Sequence, residues 1–298
     1  MINLASLRYR NAAAPAGGPI ARIDLTELSV VGHRQFQANA FLRPELVAWK
    51  TGGEIFSTAT GSGTDASPMI ARFKAVSEAM ERWAHMSVVS AGDGARYGFD
   101  VDPSSNGMAA FPGWRARQAR VAARMEASER FNLLSWWEGR LSAAECASPY
   151  PGVRAAVLCS DAPGITVILF RVYPDGQASY GHAAGETFAE ACERAAAELE
   201  RHRAAICFSA LVPAGLTRQL SPSAHPIEKR CLFFSTPEGH EFFLERLRTR
   251  VKRPLLAPRL VFDGQIRGPW SRFAHVWRVC YTPPSERFLS DDTNYFFW

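Results

Sequence analysis

The sequence predicts a mixed α/β fold in which three long, alanine-rich helices carry the charged motifs. Three observations point there. Stretches near 68–88, 116–137 and 187–206 keep the apolar spacing of helices. Each follows a short segment of small residues with a glycine, at 57–65, 104–110 and 180–185. Compact apolar runs, clearest in Ile165-Thr166-Val167-Ile168-Leu169-Phe170, have the length of a buried strand.

Taken in order, the chain opens on a turn of small residues, Ala14-Pro15-Ala16-Gly17-Gly18-Pro19, with short strands expected at 21–24 and 28–31. The first glycine segment, centred on Gly61-Ser62-Gly63, reads as a loop small and polar enough to aim backbone N–H groups at an anion ahead of a helix. Ser104-Ser105-Asn106-Gly107 opens the second segment, and Tyr180-Gly181-His182 opens the third, after a strand near 166–173. Thr187 and Glu190 have the spacing of a capping box at the start of the third helix. Beyond it, a helix is expected near 237–251, strands at 259–262 and 275–281, and an aromatic end, Tyr295-Phe296-Phe297-Trp298. No linker marks a second domain, so 1–298 reads as one domain, with its motifs in 14–206.

Composition narrows the function. A chain of 298 residues, 47% hydrophobic and 21% charged, buries a sizeable core, which excludes disorder for most of its length. No apolar run approaches the roughly 18–20 residues that span a bilayer, and Met1-Ile2-Asn3-Leu4 begins nothing like a secretory signal, so no membrane contact and a cytoplasmic location are expected. Six scattered cysteines without a C-x-x-C pair argue against a disulfide framework and a zinc site. The net charge is +5, but the arginines are interleaved with glutamates along helices. That pattern reads as solvated helix faces rather than a nucleic-acid surface, and its positive field suits an anionic small molecule.

The paired glutamates carry the chemistry. Glu78-Ala79-Met80-Glu81-Arg82 and Glu126-Ala127-Ser128-Glu129-Arg130 repeat one E-x-x-E-R pattern on two helices. Residues three apart share a helix face, so each pair presents two carboxylates, with Arg at i+4 from the first. Facing helices of this kind would offer four hard oxygen donors to Mg²⁺ on a triphosphate, with water and phosphate completing the coordination. The bland reading is a solvent face stitched by Glu–Arg pairs. On the second helix, helical spacing puts Arg117, Arg120, Arg124 and Ser128 on one side, and Glu126, Glu129 and Arg130 on the apolar side with Ala119, Ala122, Ala123 and Leu133. Unpaired carboxylates there would be costly unless a cation or an arginine compensates. On the first helix Glu78, Glu81 and Arg82 share their side with Lys74 and His85, a face equally suited to water. Glu190 with Arg194 reads as an ordinary i, i+4 pair.

Together, the two E-x-x-E-R helices, Ser105-Asn106-Gly107-Met108-Ala109-Ala110, Trp136-Trp137-Glu138-Gly139-Arg140-Leu141, and Gly181-His182-Ala183 ahead of Glu198 and Arg203 resemble the YcaO family over about two thirds of the chain. The resemblance implies a mixed α/β fold that binds ATP and Mg²⁺ and activates a peptide backbone amide by phosphorylating its oxygen. The outcome in that family is an azoline, a thioamide or an amidine. It implies Glu78, Glu81, Glu126 and Glu129 as metal ligands, and Arg82, Arg130 and Arg203 as phosphate contacts or orienting residues. Ser62, Gly63, Ser105, Asn106, Gln118 and Glu198 become candidates for nucleotide binding. A peptide substrate presented by a separate leader-binding, E1-like or TfuA-type partner is implied too, with a homodimer possible. The chain departs from the family's pattern in having Gly61-Ser62-Gly63 for Gly-Lys-Gly, Phe111-Pro112-Gly113-Trp114 after the second loop, and Phe296-Phe297-Trp298 for a proline-rich end. Two alternatives stay open: a non-catalytic YcaO-like scaffold, and modification of a ribosomal protein.

Overall fold

A computed structural model describes residues 4–49, 53–104, 106–114, 116–210 and 224–298. Its contacts divide the chain into two compact units, one of residues 1–51, 58–127 and 259–282, the other of 52–57, 128–258 and 283–298. Because each unit is assembled from three separated stretches, no linker sequence marks the division.

The first unit begins with α1 (Leu4–Ala12), which the sequence did not announce. A hairpin follows, β1 (Ile20–Val30) and β2 (His33–Leu42), joined by Val31 and Gly32, both at positive φ. The expected strands at 21–24 and 28–31 are thus one continuous strand, with Val30 opposite His33. β3 (Gly61–Asp65) pairs with β2, giving the antiparallel order β1-β2-β3. α2 (Pro68–Ser90) then covers the sheet. Pro68 at its first turn and the Ser67 side chain accepting the Ile70 N–H fix its start. A second sheet has the order β4-β10-β9, from β4 (Met108–Phe111), β9 (Leu260–Ile266) and β10 (His275–Tyr281).

Helix α3 (Arg117–Trp137) lies where its periodicity predicts, and it contributes its first half to the first unit and its second half to the other. The second unit holds a four-stranded antiparallel sheet, β5 (Ala144–Cys146), β6 (Arg154–Leu158), β7 (Ile165–Val172) and β8 (Ala178–Gly185) in sequential order. α4 (Phe188–Ala210) packs on β8, and α5 (Pro226–Ser235) and α6 (Pro237–Arg248) follow. Its core gathers Leu133, Trp136, Ile168, Phe170, Tyr180 and Phe296. Among the described residues no helix is long and apolar enough to cross a membrane.

The glycine segments are corrected by the fold. Gly61-Ser62-Gly63 and Gly181 lie in strands, and their glycines serve close helix packing. A Cβ on Gly61 would sit 2.2 Å from the Ala75 carbonyl and 2.4 Å from the Ala79 nitrogen; one on Gly181 would sit 2.0 Å from the Ala195 carbonyl and 2.2 Å from the Leu199 nitrogen. The sequence separations are identical in the two cases. Both units therefore contain one plan, an antiparallel strand pair whose second strand lays a glycine against the following alanine-rich helix. Glu78 and Glu198 occupy matching positions in that plan, as do Ser62 and His182. All six cysteines are free.

Candidate functional site

In the first unit, α2 aims its glutamates at strand backbones. Glu78 Oε2 accepts the Ser62 N–H at 2.8 Å and the Ser62 hydroxyl at 3.1 Å, while Oε1 lies 3.5 Å from Arg82. The Ser62 amide, expected to face an anion of a ligand, is thus given to a side-chain carboxylate. Glu81 Oε1 accepts the Ala110 N–H of β4 at 2.7 Å. Burial, and next the Glu78 charge, push the Glu81 carboxyl up to about 8. Both carboxylates are hard oxygen donors of the kind that suits Mg²⁺. Among the described residues, no group of three or more His, Cys, Asp and Glu side chains gathers as a metal centre, so a cation here would draw its remaining ligands from water and phosphate.

Arg278, on β10 of the same unit, organises the second candidate loop, and sequence reasoning missed it. Wholly buried, it donates from Nε to the Tyr97 carbonyl at 2.8 Å, from Nη1 to Ser104 and Asn106 at 3.2 and 3.0 Å, and from Nη2 to Gly98 and Asp102 at 3.3 and 2.9 Å. The Phe99 ring packs 3.9 Å from the guanidinium carbon. Its signal in the sequence was one charge inside an apolar strand, between Val276 and Val279. Asn106 therefore offers its carbonyl to Arg278 and its N–H to the Ser104 hydroxyl. Ser105 lies outside the described residues. Gln118 is exposed in the first turn of α3, and Gly63 packs against α2, where a Cβ would meet the Ala71 carbonyl at 2.4 Å. Glu126 is half-buried and contributes to the electrostatic surroundings of Arg278.

In the second unit, Glu129 Oε1 lies 2.7 Å from His182 Nδ1, and Oε2 accepts the Ala184 N–H at 3.3 Å. Burial opposes charge on His182, but the Glu129 hydrogen bond and charge, with help from Glu198, overcome it and raise the imidazole. Glu198 also pairs with Arg201 at 2.6 Å. The second half of α3 is buried on nearly every side: Ser128, expected on the wet face, is fully buried, and Arg130 lies between the Phe288 and Phe297 rings at 4.6 and 4.4 Å. Exposed Arg117, Arg120 and Arg124 and buried Ala119, Ala123 and Leu133 do follow the expected faces.

The structure gives Arg203 to the β7–β8 turn, where it meets Asp175 at 2.7 Å and Gln177 at 2.6 Å, with its guanidinium carbon 4.1 Å from the Tyr173 ring centroid. The Glu190 carboxylate caps the start of α4 by accepting the Glu186 N–H, and Arg194 binds the Ala184 carbonyl, in place of the expected mutual pair. Around His182 stand the rings of Phe296 and Trp298, both 6.4 Å from its centroid. His182 was legible only as part of a motif, because nothing in the sequence pairs it with Glu129.

No protein-family profile matches the sequence, and no curated protein matches it either. Solved structures do share the fold. A chain of the E. coli microcin synthetase McbBCD complex with pro-MccB17 bound aligns over 92% of this chain and 89% of its own, at 12% identity and a TM-score of 0.55. A chain of the E. coli microcin synthetase McbBCD complex aligns over 91% and 89%, at 11% identity and a TM-score of 0.52. The protein thus has the mixed α/β fold of a microcin synthetase subunit.

Proposed function

We propose that this chain is a YcaO-like enzyme that uses ATP and Mg²⁺ to activate a backbone amide of a ribosomally made peptide. The observation that carries the reading is the buried Glu81 carboxylate, set one helical turn from Glu78 on α2. Burial and the Glu78 charge oppose ionisation of Glu81, a demand for further positive charge that a metal ion on a triphosphate would meet. Similarity to subunits of a peptide-modifying synthetase supports the substrate class. Arg82 is the half-exposed cation beside the Glu78 carboxylate available to phosphate.

An amide oxygen is a poor leaving group. After a nucleophile adds to the amide carbon, transfer of the ATP γ-phosphoryl group to that oxygen leaves ADP, and the oxygen later departs with phosphate. Glu78 and Glu81 would hold the metal that neutralises the developing negative charge, with Arg82 adding a second cation beside it. A separate protein would present the peptide's leader. Calorimetric titration with ATP and Mg²⁺ tests the first requirement: saturable binding that Glu81→Gln abolishes supports the reading, and absence of binding at millimolar nucleotide rejects it.

A second reading, a non-catalytic partner of another modifying enzyme, is favoured by one observation. His182 and the Ala184 amide already occupy the Glu129 carboxylate. Full peptide modification by a reconstituted pathway carrying Glu81→Gln would support this alternative.

A further inference from the structure

The first unit has a groove of about 460 Å³ bounded by α1, the start of β1 and the first turns of α2. Its floor is apolar, from Ile20, Ile23, Phe73 and Val76, and Met69 at its margin is half exposed. Arg10, Arg22 and Arg72 line it, and among the described residues no carboxylate does. Arg22 is paired with Asp24 at 3.2 Å on β1 itself, so Arg10 and Arg72 set the sign of the groove.

The strand beside it is chemically unusual. β1 is an outer strand of the β1-β2-β3 sheet and runs for 11 residues, long for an edge that folded proteins tend to shorten or cover. An outer strand offers alternate N–H and C=O groups to a further strand, and a helix alongside supplies pockets for every second side chain of that strand. The side chains suited to these surroundings are apolar toward Ile23, Phe73 and Val76, and acidic toward Arg10 and Arg72.

We propose that this groove binds an extended acidic segment of the peptide substrate, which adds to the free edge of β1 as a fourth strand. The ownership of the segment rests on the peptide-modifying reading above, while the groove's preference for an acidic strand rests on its own geometry. Such a contact holds a substrate chain extended through backbone hydrogen bonds that tolerate varied sequence, and it needs neither nucleotide nor metal.

The test uses the full chain and a fluorescein-labelled probe of about twelve residues alternating Glu with Val, a length that matches β1. Fluorescence anisotropy should report saturable binding without ATP, weakened at least about tenfold by Arg10→Glu with Arg72→Glu, two exposed positions whose exchange leaves the core intact. Two altered probes leave the protein untouched: Lys in place of Glu, and N-methylation of alternate amides. Each should bind at least about tenfold more weakly. Hydrogen exchange at 20–30 should slow when the Glu probe is bound. No binding by the wild-type chain, equal binding of the Glu and Lys probes, or equal binding of the N-methylated probe overturns the proposal. Nucleotide titration on the same sample separates the two readings, because the groove is tested with no ATP present.

Discussion

Glu129 fastens His182 to the end of β8, meeting Nδ1 at 2.7 Å with one oxygen while the other accepts the Ala184 N–H at 3.3 Å. Glu81, the second glutamate of the other E-x-x-E-R motif, likewise takes a strand amide, that of Ala110. In both motifs the second carboxylate thus helps hold a strand end. Glu129→Gln keeps the shape but loses the charge that His182 needs. It should cost about 1–3 kcal/mol, the range for a charge-assisted hydrogen bond with a buried partner, in chemical denaturation without nucleotide. A variant as stable as the wild type would show that the Glu129–His182 bond makes no net contribution to folding.

Acid should weaken the protein through His202. Its Nδ1 accepts the Tyr180 N–H at 3.0 Å and its Nε2–H donates to the Cys231 carbonyl at 3.1 Å, so the neutral ring is the one that fits. Burial, with the neighbouring His182 charge, lowers it to about 4. The unfolded chain takes up this proton near its ordinary value of about 6.5. The contribution is therefore complete above pH 6.5 and falls as the pH drops toward 4, by up to ~3 kcal/mol. Denaturation between pH 7 and 4 should show that loss, and His202→Gln should flatten it. An unchanged slope in the variant would assign acid lability elsewhere.

Gly181→Ala should be among the most damaging small substitutions. The new methyl would collide with the Ala195 carbonyl and Leu199 nitrogen, both helix backbone, so no side chain can yield. Separation of β8 from α4 should cost about 3 kcal/mol or more, seen as a large fall in melting temperature. Gly94→Ala is the control: its methyl meets only the Phe99 Cβ at 3.5 Å, and it should stay within about 1 kcal/mol of the wild type.

What the sequence made legible follows the strength of the local signal. The helices α2 and α3 lie within a few residues of their expected bounds because alanine-rich periodicity spans twenty or so residues. Strands β7 and β10 were visible as apolar runs. By contrast β2 escaped notice, since Val31-Gly32 lacks the Asn-Gly or Asp-Gly signature of a two-residue turn. The glycine segments carried two readings, and strand packing against a helix prevailed because the helices they precede fold back onto them. Arg278 and the Glu129–His182 pair depend on partners far away in sequence, which spacing alone does not reveal.

The Val31 turn supplies a stabilising prediction. At φ 45° its β-branched side chain pays a steric penalty that Asn or Gly avoids, and Gly32 beside it stands in open space. Val31→Asn should raise stability by about 0.5–1 kcal/mol through the turn alone, as chemical denaturation would show. A loss of stability on this exchange would show that the Val31 side chain contributes packing outweighing its backbone cost.

The aromatic segment at 295–298 packs into the core of the second unit. Tyr295 and Phe296 are fully buried; Phe296 packs on Tyr180, Phe234 and Phe243 at 5.2, 5.0 and 5.0 Å, and stacks on Trp137 at 5.6 Å. The Tyr295 hydroxyl donates to buried Glu138 at 3.0 Å, and Arg230 grips the backbone from Phe288 to Phe297. Phe296→Ala should therefore cost about 3–5 kcal/mol, the range for emptying an aromatic site in a core. Trp298→Ala, at a partly buried position beside His202, should cost less while shifting the His202 ring resonances, since the two rings are 4.9 Å apart. Deletion of 294–298 should then unfold the second unit in hydrogen exchange while the β1-β2-β3 sheet keeps its protection. A truncated chain with wild-type melting and undisturbed exchange in β8 would overturn the packing role.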